Sequence, residues 1–298
     1  MITRRTLLKG LLGTVLAGLF VAAYGFFIEP ALRLRVRRWS LSPVGWRGAP
    51  LKVAILADLH MGEPFVSLAR LERIVARTNA LGADMIVVLG DLAAGHHFVT
   101  AKIPVAETAR VLAGLKAPLG VHAILGNHDW WDDRGAQRRG HGPTIAGTEL
   151  EAAGIPVLSN RAVRIAREGG DFWLAGLEDQ LAIGIGRGQF RGLDDLDGTL
   201  AQVTDDAPVI LLAHEPDIFP KVPGRVCLTL SGHTHGGQVR FFGWSPVVPS
   251  RYGNRYAYGH VREDGRDLVV SGGIGCSILP VRFGAMPEIT LVEVSSGQ

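Results

Sequence analysis

The sequence predicts an α/β protein whose sheet is covered by helices on both faces, preceded by an N-terminal apolar helix. Three observations predict it. Short apolar runs, each stopped by glycine or a polar residue, alternate with segments whose apolar residues recur at helical spacing. Asp, Asn and His follow several of those runs, at the strand ends where ligands gather in open α/β sheets. Ahead of them all stands an uncharged stretch, Gly10 to Ile28, rich in Leu, Ala, Val and Phe.

As a helix rising ~1.5 Å per residue, that stretch approaches the ~30 Å hydrocarbon thickness of a bilayer. It is therefore long enough to span one. The preceding Thr3-Arg4-Arg5-Thr6-Leu7-Leu8-Lys9 looks like a twin-arginine export signal, which carries a folded domain across the membrane. No Ala-x-Ala site closes the run, so an uncleaved anchor is expected rather than a removed signal peptide. Arg4, Arg5 and Lys9 on one flank are answered by Arg33, Arg35, Arg37 and Arg38 on the other, so the positive-inside comparison nearly cancels and the membrane side stays open. The second cluster suits anionic headgroups, or a solvated linker strand. The expected division is an anchor over 1–30, a basic linker over 31–50 and a catalytic domain over 51–298. The expected location is the cytoplasmic membrane, with the domain outside it if export operates.

Beyond the linker, Val53 to Ala57, Met85 to Leu89 and Val121 to Leu125 read as buried strands. Leu68, Leu71, Ile74 and Val75 between the first two have helical spacing, which makes a βαβ unit. Val105 to Leu115, Thr144 to Ala153 and Leu193 to Val203 read as further helices. Phe172 to Ala175, Val209 to Ala213, Val226 to Leu230, Leu268 to Val270 and Ile289 to Val294 read as further strands. There is no internal repeat.

At 298 residues and 47% hydrophobic, the chain can bury a substantial core. Its net charge of +3, much of it N-terminal, does not indicate nucleic-acid binding. Cys227 and Cys276 lack CxxC spacing, and nothing in their placement favours a disulfide.

Five polar blocks carry the chemistry: Asp58-Leu59-His60, Gly90-Asp91, Gly126-Asn127-His128-Asp129, His214, and Gly232-His233-Thr234-His235-Gly236-Gly237. They offer nitrogen and oxygen donors and no thiolate, the donor set of borderline-hard metal ions. Asp58 and His60, two apart in an extended segment, can face one side, and His233 and His235 repeat the spacing. Any one of these residues is as readily a turn or cap. That account weakens when successive strand ends each offer a metal ligand type. Gly90, Gly126 and Gly232 allow tight turns beside them.

This ordered set resembles the calcineurin-like metallophosphoesterase family over about Leu51 to Val294. Within it, the anchor, the Gly232 to Gln238 block and Pro280-Val281-Arg282-Phe283-Gly284 are most similar to a bacterial membrane-anchored phosphodiesterase subgroup. The resemblance implies a layered β-sandwich of mixed sheets flanked by helices, holding two divalent metal ions. Asp58, His60 and His235 would bind the first, Asn127, His214 and His233 the second, and Asp91 both. Two cations ~3.5–4 Å apart can share a hydroxide that attacks phosphorus, and both polarise the phosphate oxygens. Mixed N/O sites accept Mn²⁺, Zn²⁺ or Fe, and Mn²⁺ is expected as the activating ion. His128 would protonate the leaving group, with Asp129 orienting its ring. A solvent-exposed turn for His128 and a helix cap for Asp129 are the plainer accounts.

Trp130 and Trp131 suit an apolar wall or the core, and Arg255 and Arg282 suit phosphate or surface salt bridges. Gly272-Gly273-Ile274-Gly275 is no nucleotide fingerprint. His96, His97, His122, His141 and His260 are expected to be structural or exposed. The expected function is a dinuclear metal phosphodiesterase or pyrophosphatase, a monomer acting on a membrane-associated or lipid-linked phosphate ester. A phosphomonoesterase, a protein phosphatase and a non-catalytic interaction module are the alternatives.

Overall fold

In the computed structural model, which describes residues 3–296, the apolar runs pair into two sheets rather than one. Met1, Ile2, Gly297 and Gln298, at the ends of the first and last expected segments, lie outside the described residues. In chain order the sheet strands are β1 Arg35–Leu41, β2 Leu51–Leu56, β3 Met85–Val88, β4 Val121–Ala123, β5 Arg161–Ile165, β6 Phe172–Gly176, β7 Val209–Leu212, β8 Val226–Ser231, β9 Gly259–Glu263, β10 Arg266–Val270 and β11 Glu288–Val294. The five-stranded sheet has the order β1-β11-β2-β3-β4 and the six-stranded sheet β9-β10-β8-β7-β6-β5. Within the first, β2, β3 and β4 are parallel; within the second, β6, β7, β8 and β10 are parallel.

The sheets stack face to face. Leu51, Val53, Ile55, Met85 and Val87 meet Leu174, Ile210, Leu212, Leu228 and Leu230 in one buried cluster. The alternate residues Ala54, Leu56, Ile86 and Val88 point outward onto helices α2 (Leu68–Asn79), α3 (Val105–Leu112) and α5 (Ile145–Ala152). Ser67 and Thr144 cap α2 and α5, accepting from the amides of Arg70 and Gly147. The outer face of the second sheet is covered more thinly, in part by Ile218 and Phe219 of the 3₁₀ turn Pro216–Lys221. The expected helix over 193–203 is reduced to Leu196–Leu200. A strand buried on both faces has the same sequence whether its second face meets a helix or another sheet, so the runs alone suggested a single sheet.

Residues 31–50 are not a linker throughout, because Arg35–Leu41 pairs in parallel with β11. Its arginines hid the strand and here serve its edge. Arg35 bonds Glu288 at 2.9 Å and the Tyr258 hydroxyl at 2.8 Å, Arg37 lies over Trp39, and Arg38 reaches Glu293. The edge strands β5 and β9 were missed for the same reason, their alternation being largely polar.

Helix α1, Arg4–Ala23, has no buried residue, and the continuous helical stretch Arg4–Leu32 is long and apolar enough to cross a membrane by length and composition. A π-helical turn, Tyr24–Ile28, continues it directly onto the body of the protein. There the Arg282 amide donates to the Gly25 carbonyl at 2.9 Å, and the buried Arg70 guanidinium donates to the carbonyls of Pro30, Arg33 and Phe65. Cys227 and Cys276 are buried free thiols.

Candidate metal centre

The polar blocks leave the sheets at one edge. Asp58 and His60 follow β2, Asp91 follows β3, Asn127 follows β4 and opens helix α4 (Asn127–Trp131), His214 follows β7, and His233 and His235 follow β8. The expectation that the Asp58/His60 and His233/His235 pairs lie in extended segments is corrected. Asp58, His60, Asp91, His233 and His235 all have positive φ, between 43° and 68°. They account for five of the eleven non-glycine residues with positive φ among the described residues, a concentration of backbone strain of the kind found at functional sites. The chain turns sharply off each strand, and this brings both side chains of each pair inward. Close approach also dictates Gly126, where a Cβ would lie 2.4 Å from Asp91 Oδ1 and 2.6 Å from His214 Cε1.

Asp91 sits at the middle. Its Oδ2 is 3.4 Å from His60 Nε2 on one side and 3.4 Å from His214 Nε2 on the other. Around His60, His235 Nε2 lies at 3.1 Å and itself stands 3.7 Å from Asp58 Oδ1. Around His214, Asp58 Oδ1 lies at 3.9 Å, while Asn127 Oδ1 and His233 Nδ1 are 2.9 Å apart. The seven predicted ligands thus converge. Glu215 also comes close to His214 and His233, and the sequence had singled it out for nothing.

The side chains fit cations. Asp58 Oδ2 and His214 Nε2 are buried without a hydrogen-bond partner, which native interiors rarely leave unexplained. His60 Nδ1 donates to the Ala93 carbonyl and His214 Nδ1 to that of Leu89, so each turns the lone pair of Nε2 inward. His60 Nε2 and His235 Nε2 stand 3.1 Å apart, and adjacent donors with ~2.1 Å bonds to one ion stand about 3 Å apart.

Electrostatics divide the histidines: burial would lower His214, but Asp91, Glu215 and Asp58 around it hold it well above the usual imidazole range, so it keeps a proton that a cation would displace, while the other three are lowered. Burial pushes the His60 imidazole down to about 3, and burial together with His60 holds His235 well below the usual range. His233 is lowered by burial as well. Burial would raise Asp91, but His214, His128 and His60 around it keep it well below the usual carboxylate range. Burial and the Asp91 charge push Asp58 up to about 7. A cation would displace protons from both Asp58 and His214, so affinity is expected to fall by about tenfold or more per pH unit below about 7. Calorimetric titration with Mn²⁺ in buffers of differing ionisation heat measures the released protons, and an affinity flat from pH 8 to pH 5.5 contradicts this.

His128 stands at the rim, half-buried, its ring packed edge-on to His60 and against Trp131. Its amide donates to Asp91 Oδ1 at 2.8 Å, and its Nε2 faces Ser277 Oγ at 3.4 Å. Asp129 does not orient that ring. Its carboxylate accepts from the amides of Asp91, Leu92 and Gly126 at 2.8–3.0 Å, which ties the β3 and β4 loops together. The reason is its place in the first turn of α4, where the side chain folds back on the helix start. Asp129→Ala leaves three buried amides unpaired, at about 1–3 kcal/mol each, so a loss of roughly 3 kcal/mol or more is expected in urea unfolding. A change under about 1 kcal/mol counts against the strap.

Other expectations divide. Trp130 is core, bonded to Glu178, whereas Trp131 lines the cleft and stacks on Phe190. Arg282 is fully buried, donating to the carbonyls of Gly275 and Ala285 beside His235, and Arg255 pairs with Glu263 at the surface. Neither faces the cleft, so the phosphate-gripping role is withdrawn for both. His96 is buried against Phe65, and His260 pairs with Asp267. Ser277 and the cleft walls Val239, Val247, Ile278 and Leu279 carried no signal in the sequence, since only folding sets them, with Val281, beside His128. The cleft they bound, over Asp91, Asn127, His233 and His235, has a volume of about 580 Å³.

Residues 51–237 match the family model described as calcineurin-like phosphoesterase. The chain belongs to the calcineurin-like phosphoesterase family. It is 32% identical to the uncharacterized metallophosphoesterase YkuE of Bacillus subtilis, over 99% of this chain and 98% of that one. It is 28% identical to the phosphodiesterase YaeI of Escherichia coli, over 99% and 100% of the two chains. A transmembrane protein with a metallophosphoesterase domain from Danio rerio is 31% identical over 80% of this chain and 52% of its own length. As a member of this family the chain is a metal-dependent phosphoesterase, with a phosphate ester as substrate and a cluster of His and Asp suited to a divalent metal centre.

Proposed function

We propose that the chain is a dinuclear metal phosphodiesterase or pyrophosphatase, held at the cytoplasmic membrane by its N-terminal helix and acting on a lipid-linked or otherwise amphiphilic phosphate ester. The observation that carries the dinuclear reading is Asp91 Oδ2, equidistant at 3.4 Å from a histidine of each set. Asp58, His60 and His235 hold one cation, Asn127, His214 and His233 the other, and Asp91 both. This mixed N/O donor set accepts Mn²⁺, Zn²⁺ or Fe, and Mn²⁺ is the activating ion in this reading. When bound, the pair supplies positive charge to the phosphate oxygens and acidifies a water.

The chain's own residues do the rest. Asp91 Oδ1 fixes the His128 backbone, Ser277 and Trp131 set its ring, and from the rim His128 reaches the leaving oxygen and delivers its proton. Residues 1–30 serve as the anchor, Arg4-Arg5 direct export, and the catalytic domain follows, with 35–41 now counted in its sheet.

Turnover of bis-p-nitrophenyl phosphate against p-nitrophenyl phosphate with Mn²⁺ tests the reaction class: the diester is expected to be preferred, and a clear preference for the monoester assigns a phosphomonoesterase instead. A topology reporter fused after Gln298 tests the side, an extracytoplasmic signal being expected.

A further inference from the structure

The loops that wall the cleft also carry six of the eleven large apolar side chains exposed outside the N-terminal helix among the described residues. Phe242 is fully exposed, Val247 and Ile278 are each 72% exposed, and Phe241, Trp244 and Leu279 stand out beside them. Scattered single residues of this kind need no explanation, but a contiguous patch does. These residues are contiguous. Val239 bridges to Phe283, the Gln238 side chain donates to the Leu279 carbonyl and accepts from the Ser277 amide, and the Phe241 and Phe283 rings lie 5.4 Å apart. Ile278 and Phe242 hold positive φ, 63° and 49°, a costly conformation for a β-branched and for a bulky residue.

The patch joins the end of the N-terminal helix without a gap. Phe283 packs edge-on to Tyr24 at 6.2 Å, Arg282 bonds the Gly25 carbonyl, and a Cβ on Gly25 would touch Val281. Helix α1 has 20 residues, or about 30 Å, the hydrocarbon thickness of a bilayer. No spacer separates it from the body, since the π-helical turn is already packed there and Arg70 clasps the next residues. A membrane around α1 must then meet the protein at the 238–249 and 277–283 loops. Arg33 and Arg37, exposed just past the helix, suit anionic headgroups at the same level.

Resting on the anchored phosphodiesterase reading above, we propose that the 241–247 and 278–279 loops are seated in the bilayer interface, so that the cleft opens directly onto the membrane. A membrane lipid presents its phosphate to the metal centre while its chain stays against Val239, Val247, Ile278 and Val281. The substrate class is therefore a lipid phosphodiester taken laterally from the bilayer, not a soluble one arriving from water.

Two measurements on the full-length protein test this. In phosphatidylcholine vesicles containing one tenth phosphatidylglycerol, a nitrobenzoxadiazole label on Phe242→Cys should be blue-shifted and quenched by brominated acyl chains. The same label on Glu168→Cys, at the opposite edge of the second sheet, should not. An unquenched, water-like emission at position 242 overturns the docking face. Octyl phosphate should inhibit bis-p-nitrophenyl phosphate turnover at least tenfold more strongly than ethyl phosphate, and Val247→Asp should abolish that ratio. Equal inhibition by the two overturns the chain subsite. Should the wild type fail to turn over the soluble diester, the functional reading falls, and direct binding of the two alkyl phosphates with the quenching then decides the lipid-facing mouth separately.

Discussion

Asp91→Asn is expected to lower the bound metal from two ions to one or fewer per chain and to cut kcat/KM for bis-p-nitrophenyl phosphate on the order of 10³-fold or more. The carboxylate is the group that both histidine sets share, with one oxygen 3.4 Å from His60 and from His214. An amide keeps the shape and removes the charge that two neighbouring cations require between them. Several kcal/mol of charge stabilisation then disappear, at 1.36 kcal/mol per tenfold in rate. Elemental analysis beside turnover checks this. A variant that holds two ions and keeps wild-type turnover refutes a shared role for Asp91. Because Asp91 Oδ1 also accepts from the His128 amide, a melting curve should accompany the kinetics.

His128→Ala is expected to retain its metal and lose ~10²–10⁴-fold in kcat on a diester with an alkyl leaving group. The loss should be much smaller on bis-p-nitrophenyl phosphate, whose nitrophenolate departs without a proton. That split distinguishes a proton donor from a residue that only packs against His60. Its ring lies at the rim, near Ser277 Oγ, and is not one of the seven ligands converging on the centre. Equal losses on both leaving groups would instead assign His128 to phosphate binding, and unchanged rates on both would remove it from catalysis.

The strands that build the site were legible because they are central. Val53 to Ala57, Met85 to Leu89 and Val209 to Ala213 are apolar on both faces and stop at glycine or a polar residue, so their place follows from the local pattern. Edge strands such as Arg35–Leu41 were not, since one solvated face and paired arginines look like a linker. The side chains expected as ligands do lie together, but the extended geometry expected for Asp58/His60 and His233/His235 was replaced by left-handed turns. Asp129 shows the limit most clearly. An Asp after His128 suits either a ring-orienting partner or a helix cap, and only the amides of Asp91 and Leu92, 38 and 37 residues away, decide between them.

By itself the sequence determined which side chains gather, because strand ends and tight turns are set by residues within a few positions of one another. It also determined the apolar helix, whose length and composition are properties of one segment. The apolar pattern suggested one sheet, the resemblance implied the layered pair that the structure has, and the tertiary structure alone decided that Arg282 is buried beside His235 rather than facing phosphate and that exposed apolar loops run unbroken from the cleft to the helix end. These depend on contacts between residues tens to hundreds of positions apart, such as Arg282 with Gly25 or Phe283 with Tyr24, which no local period encodes.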